Sequence, residues 1–223
     1  MTHAVEDPDK AGRTRAHPAL RLLGALPDAA TACFFAVLWV APQLLWPQAL
    51  RTGLLMMLVE FILVHAAGML GSIVLAREAG TGQRWKPVLG MGAMYLLFIG
   101  AWAWQFQAWW PLLALAWLLA GKFALVLQPA PTADKRHQLA SDWAIGVMAY
   151  LAGVTLTTLL PVPRLGLDRA IVAAADLPGD GGHWLTHPQS VVAFGVFYFG
   201  VLALVKALGW RLPATQLPAA QGK

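Results

Sequence analysis

The predicted fold of this chain rests mainly on one segment, LLMMLVEFILVHAAGMLGSIVLA, residues 54–76. About 20 apolar residues, each rising about 1.5 Å along a helix, cover the roughly 30 Å hydrocarbon layer of a bilayer. The segment therefore predicts a membrane-spanning helix. It also carries Glu60 and His65. Ionisable side chains at such depth usually face a bundle interior or water, so both residues are candidate functional groups.

The composition of the whole chain agrees with a membrane protein. Of 223 residues, 58% are hydrophobic and only 12% are charged, which is more apolar surface than a soluble domain of this size buries. The net charge of +5 comes from Lys and Arg residues spread over several connections. These residues form neither a basic face nor an aromatic platform, so nucleic acid is not an expected partner. The expected partner is the lipid bilayer.

Apolar segments predict an all-α membrane protein, a bundle of six transmembrane helices. The spans are expected near 29–46, 53–76, 88–105, 108–128, 143–161 and 189–208. Asp28 is the expected N-cap of the first span, Pro42 should kink it, and Ser141 or Asp142 should cap the fifth. The predicted organisation is a tail over 1–28, in which 17–26 could form a helix on the membrane surface, a transmembrane domain over 29–208 with an outer connection at 162–188, and a second tail over 209–223.

The distribution of positive charge predicts the orientation, because cytoplasmic connections are enriched in Lys and Arg. With the N-terminus inside, the outer connections hold only Arg51, Arg164 and Arg169. The inner segments then hold Lys10, Arg13, Arg15, Arg21, Arg77, Arg84, Lys86, Lys135, Arg136, Arg211 and Lys223. Both termini are therefore predicted to be cytoplasmic.

Glu60 and His65 lie about 140° apart around their helix and about 7.5 Å apart along it. The small residues Ala67, Gly68, Gly71 and Ser72 occupy the sector between them. Small residues allow helices to approach closely, so this sector should face the bundle. The pair has three interpretations: structural polar residues, a path for a proton or small cation, or a site for a metal or haem. No second intramembrane histidine is present to complete a haem site.

Three further polar residues lie in apolar segments. Lys122 and Lys206 fall near the predicted cytoplasmic ends of their spans, where a lysine can extend its ammonium group to the interface. Lys122 is the stronger functional candidate of the two. The hydroxyl of Tyr198, in the last span, could bridge helices or line a polar cavity.

The outer connection contains His183 and His187 in HWLTHP. A spacing of four places both rings on one face of a helix, as in some zinc sites, with Asp176 or Asp180 as a third ligand. The glutamate of a metalloprotease motif is absent from HWLTH, glycines precede it and Pro188 follows it. A surface loop with two histidines is the alternative. The chain contains no Walker loop, dinucleotide fingerprint or nucleophile elbow.

The segments VEFILVHAAGMLG (59–71) and HPQSVVAFGVFYFG (187–200) resemble a family of small multi-pass bacterial inner-membrane proteins. The resemblance implies a bacterial inner-membrane location and implies that the two segments belong together. It supplies no catalytic residues and no cofactor.

These observations favour a transporter or channel for a small cation or proton, built around Glu60, His65, Lys122 and Tyr198. The alternatives are a metal- or haem-binding protein or enzyme, and a noncatalytic scaffold. A homo-oligomer is compatible with either class.

Overall fold

The computed structural model describes residues 18–75, 85–127, 132–177 and 181–213. Within these ranges all regular structure is helical. The α-helices are α1 (Pro18–Val40), α2 (Ala49–Leu75), α3 (Trp85–Gln105), α4 (Trp110–Leu127), α5 (Ala133–Leu159), α6 (Arg169–Ala174), α7 (His183–Thr186) and α8 (Pro188–Leu208). A short 3₁₀ turn, Pro42–Leu44, follows α1. The predicted all-α class is confirmed.

Five helices are long and apolar enough to cross a membrane: α1, α2, α3, α5 and α8. The chain is thus compatible with a multi-pass membrane protein. The fourth predicted span, 108–128, corresponds to α4, which is apolar but falls below the length of a candidate span over Trp110–Ala124. At about 1.5 Å per residue, the 18 residues of the whole of α4 cover roughly 27 Å.

The predicted boundaries of the first and fifth spans are wrong. Helix α1 begins at Pro18, runs through Pro27 and Asp28, and ends at Val40. Asp28 is therefore an interior residue of α1, and Pro42 begins the 3₁₀ turn instead of kinking a helix. Helix α5 begins at Ala133, where the Thr132 hydroxyl accepts a hydrogen bond from the Lys135 amide at 3.3 Å.

The two residues predicted as caps, Asp28 and Ser141, have tertiary partners instead. The Asp28 carboxylate forms an ion pair with Lys206 of α8. The Ser141 hydroxyl accepts a hydrogen bond from the Leu212 amide at 2.9 Å. Because each polar group is satisfied by a distant segment, it does not need a free amide at a helix start.

Helix α2 lies at the centre of the bundle, in contact with α1, α3, α4, α5 and α8. Its apolar residues enter two hydrophobic clusters. Leu54 and Met57 pack with residues of α1, α5, α8 and the connection. Leu55, Val59, Ala66 and other residues of α2 pack with α3 and α4. The segment that decided the predicted fold is therefore also the core helix of the structure.

Contacts between distant residues define two ends of the bundle. At the terminal end, Arg21 at the start of α1 donates a hydrogen bond to the Leu208 carbonyl at the end of α8. At the loop end, the Trp39 indole donates to the Pro163 carbonyl at 2.9 Å, and Arg51 donates to the Asp176 carbonyl at 3.3 Å. Residues 160–177 and 181–187, which include α6 and α7, thus cover the loop end.

Candidate functional site

Glu60 and Tyr198 form the central polar contact between α2 and α8. The Tyr198 hydroxyl donates a hydrogen bond to Oε1 of Glu60 at 2.7 Å. Tyr198 is only 1% exposed, and none of the described Lys or Arg residues forms an ion pair with Glu60. Glu60 itself is partly buried. A carboxyl group that is largely removed from water and lacks a cation is costly as an anion, whereas it can take up a proton without any further ligand.

Aromatic rings hold the Tyr198 hydroxyl in place. The Tyr198 ring meets the Tyr150 ring of α5 edge to face, with 5.5 Å between centroids. Tyr198 also contacts Phe199, and Tyr150 contacts Phe194 at 4.7 Å. The Tyr150 hydroxyl donates to the Met57 carbonyl of α2 at 3.2 Å. Two buried phenols from two helices therefore converge on one segment of α2.

His65 occupies a different environment from Glu60. Its side chain is exposed, and its ring lies near Phe61 and edge-on to Tyr95 of α3, with centroid distances of 6.4 Å and 6.2 Å. The hydroxyl of Tyr95 is buried without a hydrogen-bond partner among the described residues. The structure therefore does not join His65 to Glu60, although each has a tyrosine neighbour.

A cavity of about 610 Å³ lies between α2, α4, α5 and α8. Most of its lining is apolar, and its polar side chains are His65, Ser72, Lys122, Asp142, Trp143, Tyr198 and Lys206. Ala67, Gly68 and Gly71 also line it, so the small-residue sector of α2 faces the bundle interior as expected. Since Tyr198 lines the cavity and also contacts Glu60, the phenol connects the buried carboxyl group with the cavity.

Trp143 and Lys122 shape this cavity at α2. The Trp143 indole donates to the Val64 carbonyl at 3.1 Å, and a Cβ atom on Gly68 would overlap the indole ring. Lys122 of α4 is half-buried, and its Nζ would lie 3.6 Å from a Cβ atom on Gly71. Glycine at position 68 leaves the space that the indole occupies, whereas a methyl group at position 71 would only contact the ammonium group.

Sequence reasoning singled out Tyr198 but missed Tyr150, Tyr95 and Trp143. The chain contains only three tyrosines, and all three contact Glu60, His65 or the α2 backbone beside them. The scarcity of phenols in so apolar a chain was the available signal. Trp143 carried no comparable signal because the chain has 11 tryptophans.

The proposed metal ligands of the connection lie together without completing a site. The rings of His183 and His187 stack with centroids 4.8 Å apart, and Nδ1 of His187 lies 2.9 Å from the Thr186 hydroxyl. Over the described ranges, no three His, Cys, Asp or Glu side chains group closely enough to bind a metal ion. Asp176 lies beside Arg51, and Asp180 lies outside the described residues.

The segments 59–71 and 187–200, which the sequence analysis expects to belong together, contact each other through Glu60 and Tyr198. Comparison of the chain with protein-family models, with curated proteins and with solved structures found no match. The geometry of the site therefore carries the functional argument.

Proposed function

We propose that this protein is a bacterial inner-membrane transporter that binds and releases a proton at Glu60. The supporting observation is the position of Tyr198, whose hydroxyl donates to Glu60 while its side chain lines the cavity. A proton can pass between the cavity and the carboxyl group through this hydroxyl, because a phenol both donates and accepts hydrogen bonds.

The charges of the cavity favour a proton over a metal cation. Lys122 and Lys206 both line the cavity, and among the residues that the structure describes Asp142 is its one acidic side chain. Ammonium groups repel a metal ion entering an apolar space, since charges interact more strongly where water is scarce. A proton needs no coordination shell and can reach Glu60 through hydrogen bonds.

In the proposed membrane arrangement, α4 also crosses the membrane, which brings the number of spans to six. The terminal end of the bundle faces the cytoplasm. The described cations support this orientation, since the loop end holds Arg51, Arg164 and Arg169, whereas the terminal end holds Arg21, Lys86, Lys122, Lys135, Arg136, Lys206 and Arg211. Cytoplasmic connections are enriched in such residues. The cavity would then open toward the cytoplasm.

Proton flux into proteoliposomes tests this function. Purified protein is reconstituted with a trapped pH-sensitive dye, and a potassium diffusion potential drives proton entry. The native chain should exceed empty vesicles, and Glu60→Gln should fall to their level, because an amide keeps the hydrogen bond from Tyr198 but carries no exchangeable acid proton.

Tyr198→Phe and Tyr150→Phe form a matched pair in the same assay. Each variant removes one buried phenolic hydroxyl that donates one hydrogen bond, but only Tyr198 donates to Glu60. Tyr198→Phe should lower the flux strongly, and Tyr150→Phe should retain most of it. Equal flux from native protein and correctly folded Glu60→Gln, or no flux above empty vesicles from the native chain, would overturn the function.

A further inference from the structure

The cavity between α2, α4, α5 and α8 contains a charged side chain, Lys122, that proton movement at Glu60 does not require. Its volume of about 610 Å³ falls within the range of roughly 300–1,000 Å³ typical of small-molecule sites. Like such sites, it combines apolar walls with a few polar groups. The distribution of those polar groups indicates the class of ligand.

Among the described residues that line the cavity, Lys122 is the cation without an ion-pair partner. None of the described carboxylates lies within ion-pair distance of Lys122, whereas Lys206 is paired with Asp28. The positive charges that act on Asp142 belong to Arg211, Lys206 and Lys135. Within the described part of the chain, one ammonium group of the cavity therefore remains without an ion-pair partner, half-buried against Gly71. A single cation in partly apolar surroundings matches a single negative charge on a ligand.

The position of Lys122 along the bundle indicates the shape of the ligand. Lys122 lies toward the terminal end of α4, whereas Gly146 and Tyr198 line the cavity deeper in the bundle. Apolar surface thus extends from the ammonium group toward the centre of the molecule. This order, with charge near the interface and apolar surface at depth, is the order of a lipid in its own leaflet.

We propose that the cavity binds a single-chain carboxylate lipid, whose carboxylate contacts Lys122 and whose chain extends between α2 and α5 toward Tyr198. Binding depends on the charge of Lys122 and on the open cavity between Gly71 and Tyr198. It does not require Glu60 to exchange a proton. Only transport of the bound lipid anion would rest on the proposed function.

Binding of radiolabelled dodecanoate to the full chain in maltoside detergent, measured by scintillation proximity, tests the proposal. The native chain should bind dodecanoate saturably. Lys122→Met should raise the Kd about tenfold or more, because a charge-assisted hydrogen bond is lost, and Lys122→Arg should retain most of the affinity. Lys86→Met is the matched control, since it removes the same charge from an exposed position that does not line the cavity.

Competition with unlabelled compounds tests each part of the proposed ligand. Dodecanol should compete weakly because it lacks the charge, and 2-naphthoate should compete weakly because it lacks the chain. Dodecanol that competes as well as dodecanoate, or naphthoate that competes better, would overturn the proposal. So would the absence of saturable dodecanoate binding, or an unchanged Kd in folded Lys122→Met.

Glu60→Gln separates this inference from the proposed function. This variant should bind dodecanoate with native affinity while losing proton flux. Loss of flux in every protein together with normal dodecanoate binding would remove the proposed function alone. Normal flux without dodecanoate binding would remove the lipid site alone.

Discussion

The two sides of α2 are built differently. On one side, α1, α5 and α8 meet through aromatic rings and glycines. The Phe35 and Phe199 rings stack at 5.9 Å, and Phe35 fills the space beside Gly195. On the other side, α3 and α4 meet mainly through aliphatic side chains, such as Leu119 against Gly92. Their outward faces are apolar, and Trp117 of α4 is 84% exposed.

This difference in packing explains how firmly the Tyr198 hydroxyl and the Lys122 ammonium group are each held in position. A ring seated against a glycine leaves little room for a second arrangement, because packed interiors respond to changes of a single methylene. The Tyr198 hydroxyl is therefore held close to Glu60. Lys122 lies on α4, where flexible leucines form the contacts, so the cavity wall that carries the ammonium group can adjust to a ligand.

Gly195→Ala should produce the largest loss of stability. A Cβ atom there would lie 2.5 Å from the Phe35 ring, which is fully buried. We expect the free energy of unfolding to fall by about 1–3 kcal/mol, the usual cost of overpacking. Chemical unfolding in detergent, followed by fluorescence, measures this change.

Gly200→Ala is the control on the same helix, because nothing lies within 4 Å of a Cβ atom at that position. Its stability should equal or exceed that of the native chain, since alanine favours a helix by about 1 kcal/mol over glycine. Equal stabilities for the Gly195 and Gly200 variants would show that the α1–α8 contact is no more rigid than an open helix face.

Gly92→Ala should cost less than Gly195→Ala. The nearest atoms, at 3.0 Å and 3.3 Å, are the terminal methyl groups of Leu119, and that side chain can rotate away. We expect a loss below about 1 kcal/mol, because repacking relieves most of the overlap. Gly90→Ala, on the same helix with open space around it, is the control. A loss as large as that for Gly195 would contradict the proposed difference between the two sides.

Asp28→Asn should have the smallest effect. The Lys206 side chain is 49% exposed, whereas its partner Asp28 is only 13% exposed. Water reaches the ammonium group, so we expect the pair to contribute at most about 1 kcal/mol, the upper end for ion pairs open to solvent. The loss should shrink further at high ionic strength, where exposed charges are screened. Unfolding measured at low and high salt, with Lys206→Gln and the double variant to complete a cycle, tests this prediction. A salt-independent loss would indicate that the pair is buried among the helices.

Part of the candidate site was predictable from single residues. Glu60 was predictable because placing a carboxyl group within an apolar segment costs free energy. Tyr198 was predictable because a buried phenol needs a hydrogen-bond partner. Tyr150 and Trp143 were not predictable, because their partners are the backbone carbonyls of Met57 and Val64. Every residue offers such a carbonyl, so no sequence pattern marks the partner.

The amino-acid sequence is enough to predict a helical, apolar chain suited to a membrane, because hydrophobic segments of this length leave few alternatives to a helix. It also determined which residues were costly enough to need a partner. The partners of these polar side chains follow only from the tertiary structure. It paired Glu60 with Tyr198, placed His65 apart from them, took Asp28 and Ser141 away from helix caps, and left Lys122 facing a cavity. Such pairings depend on how helices rotate and shift against one another, which side-chain packing between distant segments sets.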